Sequence, residues 1–164
     1  MRTIKIGFSA PQNVKFPIYS WIIRAVYNTP YSHTYMRFYS NSIERDIIYE
    51  SVGVGVRFVG NEMWSKHARV IEEFELQVTD EQYTKIMQFC VDKAGTKYGI
   101  MQAFGICVAK LFRIKKNIFA NGEKLDICSE EIARLMTQLG YSFKTDFDLI
   151  VPKDIYNVLK NKPT

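Results

Sequence analysis

Cys128 opens the run Leu125-Asp-Ile-Cys-Ser-Glu-Glu-Ile-Ala-Arg-Leu-Met, whose apolar positions Ile132, Leu135, Met136 and Leu139 recur at helical spacing. A thiol at that place sits at the helix end that carries partial positive charge, on the side facing the rest of the fold. The dipole alone is too weak to make it a nucleophile. Bringing a free cysteine from about 8.5 to below 7 takes at least about 2 kcal/mol, and a helix end gives about 0.3 to 1 kcal/mol. A second stabiliser is required. An imidazolium fits best, because it pairs with the thiolate and later returns a proton to the leaving group.

The chain has two histidines. His33 lies in a β-prone run, a rigid support that can face a helix, whereas His67 falls in Asn61-Glu-Met-Trp-Ser-Lys-His, which reads as a loop. His33 is therefore the favoured partner. A third group must hold the imidazole, and Glu50 is the candidate. A hairpin centred between Asn41 and Ser42 pairs residues whose numbers sum to about 83, setting Glu50 opposite His33. A turn centred on Ile43 puts Glu50 opposite Met36, on the wrong face. Left to composition, Cys128 also reads as a small buried apolar residue, His33 as a hydrogen-bonded sheet residue and Glu50 as a solvated strand carboxylate. Cys90 and Cys107 lie in the middle of apolar helical runs and read as packing residues.

The elements that must position these groups follow from pattern. Residues 3 to 8 read as a strand, ended by a loop with Pro11, Asn13 and Pro17. A helix of about ten residues starts near Pro17, with Ile18, Trp21, Ile22, Ala25 and Val26 as its apolar face and Asn28-Thr-Pro30 as its stop. Tyr31 to Ser40 and Asp46 to Ser51 form a hairpin. Gly53 and Gly55, inside a β pattern, mark a bulge or a close backbone approach. Arg69 to Val78 is a further strand. The C-terminal half is helical: Thr79 with Gln82 forms a capping box for a helix to Lys93 stopped by Gly95, a second helix fits Tyr98 to Phe112, a third runs from Cys128 to Leu139 before Gly140, and Pro152 opens a last short one. The fold class is α+β, an antiparallel sheet of about five strands packed against helices, in one domain spanning residues 1 to 164.

Composition agrees with a single globular unit. At 164 residues and 47% apolar content, one core buries about 70% of the unfolded surface. The stretch from Gly99 to Phe112 falls short of the roughly 20 residues a membrane span needs. No secretion signal is read near the start, so a cytoplasmic monomer is expected. Three cysteines with no CxxC pair and two histidines argue against a disulfide framework and a zinc site, and no cofactor is expected. The net charge of +5 favours anionic partners weakly. Lys110, Arg113, Lys115 and Lys116, interleaved with Leu111, Phe112 and Phe119, are the candidate contact for nucleic acid or an anionic membrane, or else a solvated loop end.

Together Tyr31-Ser-His33, Tyr49-Glu50, Gly95-Thr-Lys-Tyr98-Gly99 and Cys128-Ser-Glu resemble the circularly permuted, NlpC-like branch of the papain-fold cysteine hydrolases, in which the histidine precedes the cysteine. The resemblance runs from the early strand and Trp21-Ile-Ile-Arg24 to Val151-Pro-Lys-Asp154, with an insertion around Asn41 to Arg45. It implies Cys128 as nucleophile, His33 as general base and acid, and Glu50 as orienter. The Cys128 backbone N–H is the natural oxyanion donor. Tyr98 and Tyr31 are candidates to assist it or to pack against the helix. The reaction implied is acyl transfer through a thioester. Its relatives act on cell-wall peptides, other amides and lipid acyl esters, so amide cleavage is expected first, with a lipid acyl hydrolase or acyltransferase, or a non-catalytic basic binding module, as alternatives.

Overall fold

The computed structural model describes residues 1–13, 18–97, 99, 105–106 and 127–161. Tyr98, Cys107, most of the helix expected from Tyr98 to Phe112, and the basic cluster of Lys110, Arg113, Lys115 and Lys116 lie outside the described residues.

Among the described residues, β1 (Arg2–Pro11), β2 (His33–Ser40), β3 (Arg45–Val52), β4 (Gly55–Gly60) and β5 (Ala68–Val78) form one antiparallel sheet in the order β4-β3-β2-β1-β5. The helices are α1 (Ile18–Tyr27), the four-residue α2 (Asn61–Trp64), α3 (Asp80–Lys93), α4 (Cys128–Thr137) and α5 (Pro152–Lys160). The architecture is α+β. β1 runs past the expected residue 8, because its end pairs with the start of β5 through Pro11↔Ala68. A proline is tolerated where a ladder stops.

Period-two alternation sends Ile4, Ile6 and Phe8 of β1 and Met36 and Phe38 of β2 to one face of the sheet. There they meet Ile86 of α3, Ile132, Leu135 and Met136 of α4, and Ile155 of α5. Burying side chains of this size contributes about 1.5 to 3 kcal/mol each. The opposite face carries a smaller cluster of Tyr35, Ile48 and Trp64. Gly7 lies opposite Tyr35 in the β1–β2 ladder, and a Cβ there would fall 2.2 Å from the Tyr35 ring. Only glycine lets the ring lie across β1 and reach Glu73 with its hydroxyl at 2.8 Å.

Two local expectations are met in detail. Thr79 Oγ1 accepts from the Gln82 N–H, and the Gln82 side chain accepts from the Thr79 N–H, closing the capping box of α3. Gly55 has φ +119°, and a Cβ on it would come within 2.6 Å of the Thr96 carbonyl. That close approach lets the Val56 N–H donate to Thr96 O and the Gly95 N–H donate to Val56 O, tying the end of α3 to β4.

Three other expectations change. The β2–β3 ladder pairs Met36 with Tyr49 and Ser40 with Arg45, so the loop takes four residues, 41 to 44, and Glu44 adopts positive φ. The register is two residues longer than a turn at Asn41-Ser42 gives. In α1 the apolar face read from spacing points outward. Ile18 and Trp21 are exposed, while Ile23 and Tyr27 turn inward, Tyr27 against Ile127 and Val151. The segment before His67, read as a loop, contains the short helix α2.

Candidate active site

Cys128 is the first residue of α4, after an extended Ile127 that supplies no side-chain cap. The backbone donors of the first turn are therefore left to other acceptors. The helix body packs on Met36 and Tyr49, and its start is held in place by Ser129 Oγ, which donates to Ile150 O at 2.7 Å. The sulfur is drawn to the beginning of β2. Burial pushes its pKa up, but His33's charge, a hydrogen bond to that ring and the backbone N–H groups of Thr34 and Ser129 together carry it below the ordinary thiol value. Thr34 is beyond Met36↔Tyr49, the last β2–β3 pair on that side. Ladder termination and helix start thus converge on one sulfur.

His33, the first residue of β2, shares one face of the sheet with Glu50. The two-residue change in register moves Glu50 from directly opposite His33 to a diagonal position, and an even shift keeps it on the same face. His33 Nε2 lies 3.0 Å from Glu50 Oε2. An imidazole has two nitrogens, so Nδ1 is the one left for the Cys128 sulfur. Burial lowers the His33 pKa, yet the Cys128 thiolate and the Glu50 carboxylate outweigh it and raise the value well above normal. The pair reads as thiolate and imidazolium.

Glu50 is 2% exposed and both of its oxygens are engaged. Arg57 donates to Oε1 from Nε at 3.0 Å and from Nη2 at 2.7 Å, while Trp64 Nε1 donates to Oε2 at 2.8 Å alongside His33. Burial would raise its pKa. His33, then Arg57 and Trp64, reverse this and hold it at about 2. A buried carboxylate with charge-assisted partners on both oxygens is a fixed anion.

Arg57 and Trp64 are the site residues that sequence reasoning misses. A signal for Arg57 exists: a turn at Gly53-Val54 pairs Val52 with Gly55 and hence Glu50 with Arg57. Trp64 has no such signal, because its place depends on α2 crossing beneath β3, where it packs on Tyr35 with ring centroids 4.5 Å apart.

The structure brings Cys128, His33 and Glu50 together. It places Tyr31 in the core, with its ring 4.9 Å from Phe8 and 5.4 Å from Tyr156. Burial pushes that hydroxyl up to about 12, and the charges it feels belong to Tyr156, Glu72 and Asp154. Tyr31 thus serves packing, the second of its two expected roles. His67 is exposed in the turn before β5, where its carbonyl accepts from the Gln12 N–H at 2.8 Å. Among the described residues no three metal-binding side chains cluster, and no helix is long and apolar enough to cross a membrane. Comparison with protein-family models, with curated proteins and with solved structures finds no match to this chain.

Proposed function

We propose that this protein is a cysteine hydrolase that cleaves an amide bond through a thioester acyl-enzyme. Cys128 is its nucleophile, His33 its base and acid, and Glu50 its orienter. The observation that carries the reading is His33 held between a buried, fully engaged carboxylate and a thiol at a helix start. The chain order of histidine before cysteine, and a cysteine helix laid against the sheet that bears the histidine, also support a permuted papain-like fold of the NlpC-like kind.

The chemistry follows from the groups present. The Cys128 thiolate attacks the carbonyl carbon, a C–S bond forms, and the carbonyl electrons move to oxygen, for which the backbone N–H of Cys128, at the start of the helix, serves as donor. As the tetrahedral intermediate collapses, the C–N bond breaks and imidazolium Nδ1–H of His33 gives its proton to the leaving amine. Water then attacks the thioester while His33 takes a proton from it. The C–S bond breaks, an acid is released, and the thiolate–imidazolium pair is restored. Glu50 stays ionised throughout, steadying the imidazolium through Nε2 and preserving the ring orientation.

The test is covalent trapping with an activated acyl ester, p-nitrophenyl acetate, followed by peptide mass mapping. One acetyl group per chain on Cys128, with a matching burst of nitrophenolate, is expected, and both vanish in Cys128→Ala. Acetylation confined to lysines, or a burst that survives Cys128→Ala, overturns the reading.

A further inference from the structure

Thr34 carries a buried hydroxyl that the thiol chemistry described above leaves idle. The residue is 0% exposed, and its Oγ1 has no hydrogen-bond partner among the described residues. A hydroxyl buried in this way is destabilising, and a valine would fill the same space without that cost. The oxygen calls for an acceptor that the resting protein does not supply. Its placement says which one. Thr34 stands opposite Phe8 in the β1–β2 ladder and shares its face of the sheet with Met36 and Phe38, the face on which α4 packs. The Thr34 backbone N–H points at the Cys128 sulfur, and covalent geometry holds a threonine hydroxyl within about 4 Å of its own nitrogen. His33, one residue earlier, projects to the opposite face, toward Glu50. The sulfur therefore meets the imidazole on one side of the strand and lies within reach of the Thr34 side chain on the other.

An acyl carbonyl is the acceptor that comes to this place. Burial of Thr34 is no obstacle, because Cys128 is itself 7% exposed and an oxygen joined to the sulfur through one carbon goes where the sulfur is. The Cys128 N–H at the start of α4 supplies one donor, and an oxyanion has lone pairs for a second. We infer that the Thr34 hydroxyl is the second donor of the oxyanion hole, a catalytic group that makes its hydrogen bond when the attacked carbonyl carbon becomes tetrahedral. This assignment rests on Cys128 being the nucleophile. As the C–S bond forms, the carbonyl electron pair moves to oxygen, which accepts from Cys128 N–H and from Thr34 Oγ1–H, and neither donor gives up its proton. His33, on the other face, stays free to protonate the leaving amine. A donor that is idle at rest and engaged in the intermediate favours the transition state over the ground state, the condition for speeding the step.

Two reagents separate this role from a structural one. p-Nitrophenyl acetate acylates the sulfur through an oxyanion, whereas iodoacetamide loses iodide from a saturated carbon and forms none. Thr34→Val keeps the shape of the side chain and removes the donor. It should slow nitrophenolate release and acetylation of Cys128 about a hundredfold, while the pH profile of Cys128 alkylation stays that of the parent. Thr34→Ser, which keeps the hydroxyl, should restore most of the acylation rate. Each of three results overturns the inference: Thr34→Val acetylated at the parental rate, acetylation and alkylation slowed together, which would put the effect on the thiolate or the fold, or Thr34→Ser as slow as Thr34→Val. A parent protein that takes no acetyl group on Cys128 would overturn the thiol reading and this inference with it. The parent alone therefore reports on the first, and the Thr34 variants of an active parent report on the second.

Discussion

Cys90 and Cys128 are both buried on helices packed against the same sheet, one 0% and the other 7% exposed, yet their surroundings drive the two thiols in opposite directions. Cys90 sits inside α3, where burial and then the nearby Glu131 carboxylate push its pKa far up, against a smaller opposing pull from Tyr49. Cys128 suffers the same burial but faces an imidazolium and two backbone N–H groups, and its value falls. Depth in the core does not separate a packing cysteine from a nucleophile. The sign of the charge a few ångströms away does.

The largest way to break this contrast is through Glu50. A carboxylate held at about 2 against an ordinary 4.5 represents about 3 kcal/mol of stability. Because the folded value is depressed, that stability is present above the unfolded value and is lost as pH falls from 4.5 toward about 2. Glu50→Gln should therefore lower the free energy of unfolding at neutral pH by about 3 kcal/mol, leaving Arg57 facing a neutral amide. It should also flatten the acid limb of a stability–pH profile followed by chemical denaturation. An unaltered acid limb would mean that Glu50 is not the fixed anion described above. A smaller effect sharpens the contrast from the other side. Cys90→Ala removes a buried sulfur from the core and should cost about 1 kcal/mol, measured in the same denaturation, while leaving the rate of Cys128 alkylation unchanged.

Much of the site was legible before any coordinates. Local chemistry marked Cys128, because a helix start is written in the polarity of its first turn and the apolar periodicity beyond it. His33 followed from its β-prone neighbours. The pairing of His33 with Glu50 was legible only as a face. The four-residue loop at 41 to 44 moved the register by two, and the partnership survived because side-chain direction in a strand repeats every two residues. An odd shift would have destroyed it. Arg57 could have been read from the turn at Gly53-Val54, whereas Trp64 depends on a short helix crossing the back of the sheet. The orientation of α1 was not legible at all. Periodicity identifies an apolar stripe but not what the stripe meets, and in α1 the inward side is fixed by Ser20, Ile23 and Tyr27.

The central claim is a thiolate–imidazolium pair at the start of α4. It is tested most directly by iodoacetamide alkylation across pH, with peptide mass mapping of the native protein. Cys128 should react well below pH 8 while Cys90 stays protected, and at pH near 6.5 His33→Ala should slow Cys128 about a hundredfold, as expected for a thiol returned to about 8.5. Equal, slow reaction of Cys128 and Cys90 at every pH, or a Cys128 rate indifferent to His33→Ala, would contradict the account.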